Sequence, residues 1–357
     1  MSGARFGRGF LFILPLFFLA LLAPRATEAQ TASDALTRFD LSLPAQTLRL
    51  PDVSSALDAL GREKCDRDAI LALGDALQKA NYRREGAKAL IRFSEDCGGH
   101  APSLRLATNM FLTITDYPKA LETASKLIEL EPFSDNGHYL RALAHDRAGE
   151  PRKAIENYAM AIELFGNKAA LSSVAFVGTA RSYEKLGQFC EAAHAVEAWV
   201  ALNVAKNDTT QSRTMIANYM QRGQCEKATA GKEEVFPVIP NQVATVAVVV
   251  NGVRGNFILD TGATYVSMKA SFAKKAKIDA EPGVTLRLGT ANGIVEAARG
   301  SAASIKLRSL EAKTVAVAIQ LDQQATYGTK IDGLLGMTFL SRFNLVMEAK
   351  QIRLKAR

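Results

Sequence analysis

The chain contains 357 residues, of which 48% are hydrophobic and 22% are charged. This composition is typical of globular domains and excludes a collagen-like or broadly disordered chain. The length predicts two domains, because single hydrophobic cores rarely grow beyond about 250 residues. The net charge is +8, but the basic residues are not interleaved with aromatic residues. We therefore expect a solvated basic face and no nucleic-acid partner.

Residues 1–29 have the organisation of a signal peptide. Arg5 and Arg8 precede an apolar run over 10–23, and small residues lead up to a cleavage site after Ala29. The run is shorter than the roughly 20 apolar residues that cross a bilayer. The sequence therefore predicts export, with the bacterial periplasm as the expected compartment. An uncleaved membrane anchor is the alternative.

The four cysteines fit an oxidising compartment. Their spacings are neither those of a zinc site nor those of a redox CxxC motif. We therefore expect two disulfides. Four cysteines permit three connectivities. We favour Cys65–Cys97 and Cys190–Cys225, because each separation is close to the length of one helical hairpin.

A short pattern recurs through the middle of the chain, where the apolar spacing is helical. In segments 148–154, 186–192 and 222–228 a glycine precedes an alanine by five positions. The glycine allows the chain to turn with positive φ after one helix, and the alanine allows the next helix to pack closely. Small residues stand at the same phase earlier in the chain, at 86 and 120.

The spacing of these small residues resembles that of tetratricopeptide repeats, whose period is about 34 residues. The resemblance implies an all-α helical solenoid of about four to five repeats over 66–228, with a concave groove that binds a peptide or a partner protein. A generic solenoid of helical hairpins is the alternative. Residues 30–65 are expected to form an N-terminal extension. The polar, proline-containing segment 229–242 is expected to be a linker.

The C-terminal third has a strand pattern. Residues 243–250 are almost entirely apolar and β-branched, and Asn251-Gly252 predicts a tight hairpin turn to a returning strand over 253–259. That strand leads into Asp260-Thr261-Gly262-Ala263. Two apolar residues followed by Asp-Thr-Gly-Ala resemble the active-site loop of retropepsins, the retroviral-type aspartic proteases.

The resemblance implies an all-β acid protease barrel over 243–357 and a role for each loop residue. Asp260 supplies a catalytic carboxylate, and Thr261 holds the loop by hydrogen bonds. Gly262 lets the backbone approach the carboxylate, and Ala263 stands where pepsin-type enzymes have serine. The resemblance also implies a flap hairpin over the substrate at Thr290, Ala291, Asn292 and Gly293. The segment that supports the catalytic loop is expected at Gly333, Leu334, Leu335 and Gly336.

The residue types of this domain favour carboxylate chemistry. From Lys232 onward the sequence contains no histidine or cysteine, so neither a histidine-based triad nor a His-containing metal site can form within it. No metal or cofactor is expected. An aspartic protease requires two carboxylates, and the chain contains a single Asp-Thr-Gly. We therefore expect a homodimer in which each chain contributes Asp260. Asp332 is an alternative second carboxylate, or a turn residue before Gly333.

Taken together, these features predict an exported aspartic endopeptidase that acts on a peptide or protein substrate. Its helical repeats are expected to recruit a protein partner or the substrate itself. One alternative is a non-catalytic exported scaffold whose β domain only binds peptides or dimerises. The other is an unrelated barrel in which the Asp-Thr-Gly match is accidental.

Overall fold

The computed structural model describes residues 28–239, 243–290, 293–325, 327–348 and 350–356. The predicted signal sequence up to residue 27 lies outside these ranges, as do Ala291 and Asn292 of the predicted flap. Within the described residues, a helical domain is followed by a β domain, which confirms the predicted fold class. No helix in these ranges is both long enough and apolar enough to cross a membrane.

Most helices of the described residues form the helical domain, and two short ones lie within the β domain. The helices are α1 (Glu28–Arg38), α2 (Ala45–Leu48), α3 (Pro51–Arg62), α4 (Arg67–Lys79), α5 (Arg83–Asp96), α6 (Ala101–Thr113), α7 (Tyr117–Leu130), α8 (Asp135–Arg147), α9 (Pro151–Leu164), α10 (Val174–Lys185), α11 (Phe189–Leu202), α12 (Val204–Asn207), α13 (Thr210–Gly223), α14 (Ala270–Lys275) and α15 (Met337–Leu340). Consecutive helices from α4 to α11 pack against one another as four hairpins.

The strands lie in the C-terminal third of the chain. They are β1 (Thr229–Ala230), β2 (Glu234–Pro237), β3 (Thr245–Val250), β4 (Val253–Leu259), β5 (Val266–Lys269), β6 (Ala280–Thr290), β7 (Gly293–Leu307), β8 (Leu310–Gln320), β9 (Gly333–Leu335), β10 (Asn344–Glu348) and β11 (Gln351–Lys355). The predicted tight turn joins β3 to β4, with positive φ at both Asn251 and Gly252.

The repeat pattern agrees with the helical hairpins at two of its three copies. Gly149 and Gly187 have φ angles of 78° and 72° and form the turns between paired helices. The third copy was expected to place a turn between two helices at Gly223, and this expectation is wrong. Gln224 takes the left-handed conformation instead, and α13 is followed by a strand. Gly223 is required for another reason. A Cβ there would lie 2.8 Å from the Cys190 sulfur.

The N-terminal extension is part of the helical domain. Val53, Leu57 and Leu60 of α3 have no more than 1% of their surface exposed, and they belong to the same hydrophobic core as α4 to α7. Their spacing places them on one face of a helix. The expectation of a separate extension over 30–65 is therefore corrected: this segment caps the first repeat.

Six strands close the β domain into a barrel. Hydrogen-bonded pairing runs through β8, β5, β9, β4, β3 and β7, and β7 pairs in turn with β8. β1 and β6 add to this ring outside β8 and β7, and β10, β11 and β2 form a separate three-stranded sheet. Large apolar side chains such as Phe257, Phe339 and Phe343 fill the core and are fully buried.

The predicted linker over 229–242 contributes two strands. β1 pairs with β8 and β2 pairs with β11, which places Phe236 opposite Ile352. Phe236 has 2% of its surface exposed, so burial of this ring against the β domain explains why the polar segment around it becomes strand. The β domain therefore begins at Thr229.

Both disulfides have the predicted connectivity. Cys65 bonds to Cys97 and Cys190 bonds to Cys225, each with a Cα–Cα distance of 5.6 Å. The first closes the α4–α5 hairpin, and the second joins the start of α11 to the end of α13.

Candidate active site

Strands β4 and β9 position the Asp-Thr-Gly loop. They are parallel, with Leu259 opposite Leu335, so the chain leaves both strands at the same edge of the barrel. The backbone N–H of Asp260 donates to the carbonyl of Leu335 at 3.1 Å. The predicted support segment therefore lies directly beside the loop.

The far side of the loop is held by the start of α15. The N–H of Met337 donates to the carbonyl of Ala263 at 2.9 Å, and the N–H of Thr338 donates to the carbonyl of Thr264 at 3.1 Å. The Thr338 hydroxyl accepts from the N–H of Val266 at 2.8 Å. These bonds fix the backbone of the loop at both ends.

The Asp260 carboxylate is oriented by its own loop. Its Oδ1 atom accepts a hydrogen bond from the N–H of Gly262 at 2.9 Å. Asp260, Thr261 and Ala263 are half-buried, and Gly262 is exposed. The geometry therefore presents an accessible carboxylate on a rigid backbone, with the tip of the loop at the protein surface.

Asp332 lies at the opposite end of the same strands. Its carboxylate accepts from the N–H of Asn256 at 2.8 Å, and its N–H donates to the carbonyl of Asn256. From Asn256 to Asp260 the strand rises about 13 Å, at about 3.3 Å per residue. Asp332 therefore closes a turn and does not share a site with Asp260.

The predicted flap is the hairpin of β6 and β7. Thr290 pairs with Gly293 at its tip, where the Thr290 hydroxyl donates to the Gly293 carbonyl at 2.8 Å. Lower in the hairpin, Leu286, Leu288 and Ala297 pack on Tyr265. Because Tyr265 directly follows the Asp260 loop, the hairpin lies over the end of that loop.

Two residues that the sequence did not single out meet at this loop. The Thr264 hydroxyl donates to Oε2 of Glu163, which lies in the last turn of α9, at 2.5 Å. Burial raises the pKa of Glu163, and the negative charge of Asp260 adds a smaller increase. The sequence contained one indication that Glu163 is unusual. The helix dipole favours basic residues in the last turn of a helix, and a carboxylate at that position opposes it.

Comparison with known proteins finds a family that resembles part of the β domain. Residues 246–339 match the family model described as aspartyl protease, which confirms the predicted resemblance for this part of the chain. The family that this model describes is one of peptide hydrolases. None of the curated proteins matches the chain.

Solved structures resemble each half of the chain separately. A retropepsin-like aspartic protease from Rickettsia conorii is 22% identical with a TM-score of 0.28, and the match covers 36% of this chain and 94% of that one. The MamA protein from Desulfovibrio magneticus RS-1 is 16% identical with a TM-score of 0.37, covering 49% and 97%. The TPR2B domain of yeast Sti1, solved as a pHsp70 complex, is 22% identical with a TM-score of 0.30, covering 35% and 96%.

Proposed function

We propose that the protein is an aspartic endopeptidase whose catalytic carboxylate is Asp260. The observation that carries the proposal is the loop itself: a partly exposed carboxylate fixed by backbone hydrogen bonds to β9 and α15, in a domain that matches the aspartyl protease family. Asp260 follows the buried strand β4, so its position depends on the barrel core and not on a mobile surface segment.

The second carboxylate is proposed to come from a second chain. The exposed tip at Gly262 would meet its copy on a two-fold axis, which would bring two Asp260 side chains together. Like charges at such a short distance share one proton. The ionised carboxylate then takes a proton from a bound water while the protonated one polarises the scissile carbonyl, and the two titrate as a pair.

The proposed substrate is an extended peptide. A peptide in the space between the flap and the Asp260 loop could add as a strand to the backbone of β6, with side-chain pockets setting sequence preference. Tyr265 and Leu288 are buried apolar residues beside Ala159, and they would supply apolar surface to this space when a peptide enters it. We therefore expect cleavage beside hydrophobic residues in unstructured segments.

Export and partner recruitment complete the proposed function. Two disulfides fit an oxidising compartment, and the N-terminal sequence suits passage to the periplasm. The helical hairpins offer a surface for a protein partner or substrate, as stacked hairpins commonly do. Because α9, α10 and α11 contact the β domain, we assign recruitment to the helices that precede α9.

Cleavage of casein between pH 4 and 7 tests the proposed function. We expect the wild type to cut casein and the Asp260→Ala variant to lose at least about a thousandfold in rate, because no other group in the loop can activate the water. Asp332→Ala is the matched control, and this variant should still cleave casein. Equal rates for the wild type and Asp260→Ala would contradict the proposal.

A non-catalytic peptide-binding module is the second candidate. The Asp260 loop hydrogen-bonds to β9 and α15, so the fold could retain the loop for support alone. In that case no casein would be cut, and Asp260→Ala would leave peptide binding unchanged.

A further inference from the structure

Helix α9 of the helical domain runs beside the flap strand. β6 is the outermost strand beyond β7 in the sheet order, and α9 packs along it. The Glu156 carboxylate is hydrogen-bonded to the backbone of Thr285 near one end of the contact. Near the other end, a Cβ placed on Gly289 would lie 3.1 Å from Cγ of Glu163. The helix therefore covers β6 from Thr285 to Gly289.

The same helix reaches the Asp260 loop. Glu163 accepts hydrogen bonds from both the hydroxyl and the backbone N–H of Thr264. One turn earlier, Ala159 is buried in a cluster with Tyr265 and Leu288. The last two turns of α9 thus contact the flap on one side and the end of the loop on the other.

The end of α9 is held in place by Lys168. Its ammonium group donates to the carbonyl of Glu163 at 2.6 Å and to the carbonyl of Ile162. Carbonyls in the last turn of a helix have no partner within the helix, so Lys168 satisfies two of them. The segment that contacts the loop is therefore a capped, ordered helix end.

Two buried arginines join the β domain to α10 and α11, the helices that follow α9. Arg299 of β7 pairs with Glu281 at 2.5 Å and lies over the ring of Tyr183 from α10, 5.4 Å from its centre. Arg342, which follows α15, hydrogen-bonds to His194 of α11. Both arginines have 6% or less of their surface exposed. The domains are therefore docked through several polar contacts as well as the apolar cluster.

We infer that the C-terminal half of α9 occupies the peptide-binding cleft between the flap and the Asp260 loop, and that the helical domain thereby holds the protease closed. The inference rests on the proposed function, because the cleft is defined by the substrate. An extended peptide cannot pair with β6 while Glu156, Ala159 and Glu163 contact that strand and Thr264. Cleavage then requires α9 to leave the cleft. The rate of cleavage is therefore proportional to the fraction of molecules in which the cleft is open.

Hydrogen exchange of the full chain tests the closure without any reference to activity. In the wild type, the amides of Thr264 and Thr285 should be protected. Ala159→Arg places a charge in the buried cluster and should speed exchange at both amides by at least about tenfold. The amide of Phe257 in the barrel should not change. Ala148→Arg is the matched control, since Ala148 is exposed at the end of α8, and it should exchange like the wild type.

Casein cleavage is measured on the same samples. We expect Ala159→Arg to cut about tenfold faster than the wild type, as the open fraction rises, and Ala148→Arg to match the wild type. Should Ala159→Arg fail to fold, Glu163→Lys replaces it, because this change opposes the Thr264 contact while suiting the end of a helix.

The outcomes separate closure from catalysis. Faster exchange in a variant that never cuts would support closure and contradict the proposed peptidase. Unchanged exchange in folded Ala159→Arg, or faster exchange with no gain in cleavage by an active enzyme, would overturn the closure. Loss of wild-type cleavage in Glu163→Gln would also overturn it, and would instead make Glu163 a catalytic partner of Asp260.

Discussion

Replacing Gly336 with alanine is expected to destabilise the β domain by about 3 kcal/mol or more, which is the range of severe core overpacking. A Cβ at this position would lie 2.2 Å from the carbonyl oxygen of Tyr265 and 2.7 Å from that of Ala263. Both are backbone atoms, so relief requires movement of the chain that carries Asp260. Hydrogen exchange should show lost protection in β4 and β9, with the helical domain unaffected.

Gly166→Ala provides the control for Gly336→Ala. Nothing lies within 4 Å of a Cβ at Gly166, so we expect a change in stability within about 0.5 kcal/mol, as at ordinary surface positions. Equal stability of the Gly336→Ala variant and the wild type would mean that β9 does not lie as close to the loop as described.

Removal of the Cys190–Cys225 disulfide is expected to cost the helical domain about 3 to 4 kcal/mol. The bond closes a loop with a sequence separation of 35, and the loop-closure entropy of the unfolded chain gives this magnitude. The bond also joins the start of α11 to the segment that enters β1. The free energy of unfolding of the double Cys→Ala variant, from urea denaturation followed by helical circular dichroism, checks the value.

The Cys65–Cys97 disulfide supplies an internal comparison. Its sequence separation is 32, so the loop-closure contribution should be nearly the same, and the two double variants should lose similar stability. A loss below about 1 kcal/mol for either variant would argue against the bond as a constraint on the unfolded chain.

Local sequence patterns predicted the architecture because each element depends on residues close to it. The Asn251-Gly252 turn, the strand leading to Asp260 and the Gly149 and Gly187 turns are each specified within a few residues. The support segment at 333–336 could be placed by its resemblance alone, and the structure puts it beside the loop as that resemblance implies.

The structure differs from the sequence-based predictions where a contact between distant parts of the chain determines the local conformation. The segment around Phe236 was predicted to be a linker, but it forms a strand because Phe236 is buried in the β domain. The α3 side chains join the repeat core although no repeat signal precedes residue 66. Gly223 was taken for a turn glycine, but the disulfide beside it is what excludes a side chain.

The contact of Glu163 with Thr264 could not be predicted from either segment. The two residues lie 101 positions apart and belong to different domains. The sequence therefore suggested two independent modules, one recruiting and one cutting. The structure shows the two docked through α9, and this contact is the basis for the proposed closure.

A mixing experiment tests most directly whether two chains build the active site. Casein cleavage is measured at a fixed amount of wild-type protein with an excess of the Asp260→Asn chain. If each dimer needs two Asp260 carboxylates, a ninefold excess should lower cleavage to about one tenth by random pairing of subunits. The same excess of Asp332→Asn should instead raise cleavage about tenfold, because these chains retain Asp260. Cleavage that is independent of added Asp260→Asn would contradict the shared dyad and place both catalytic groups within one chain.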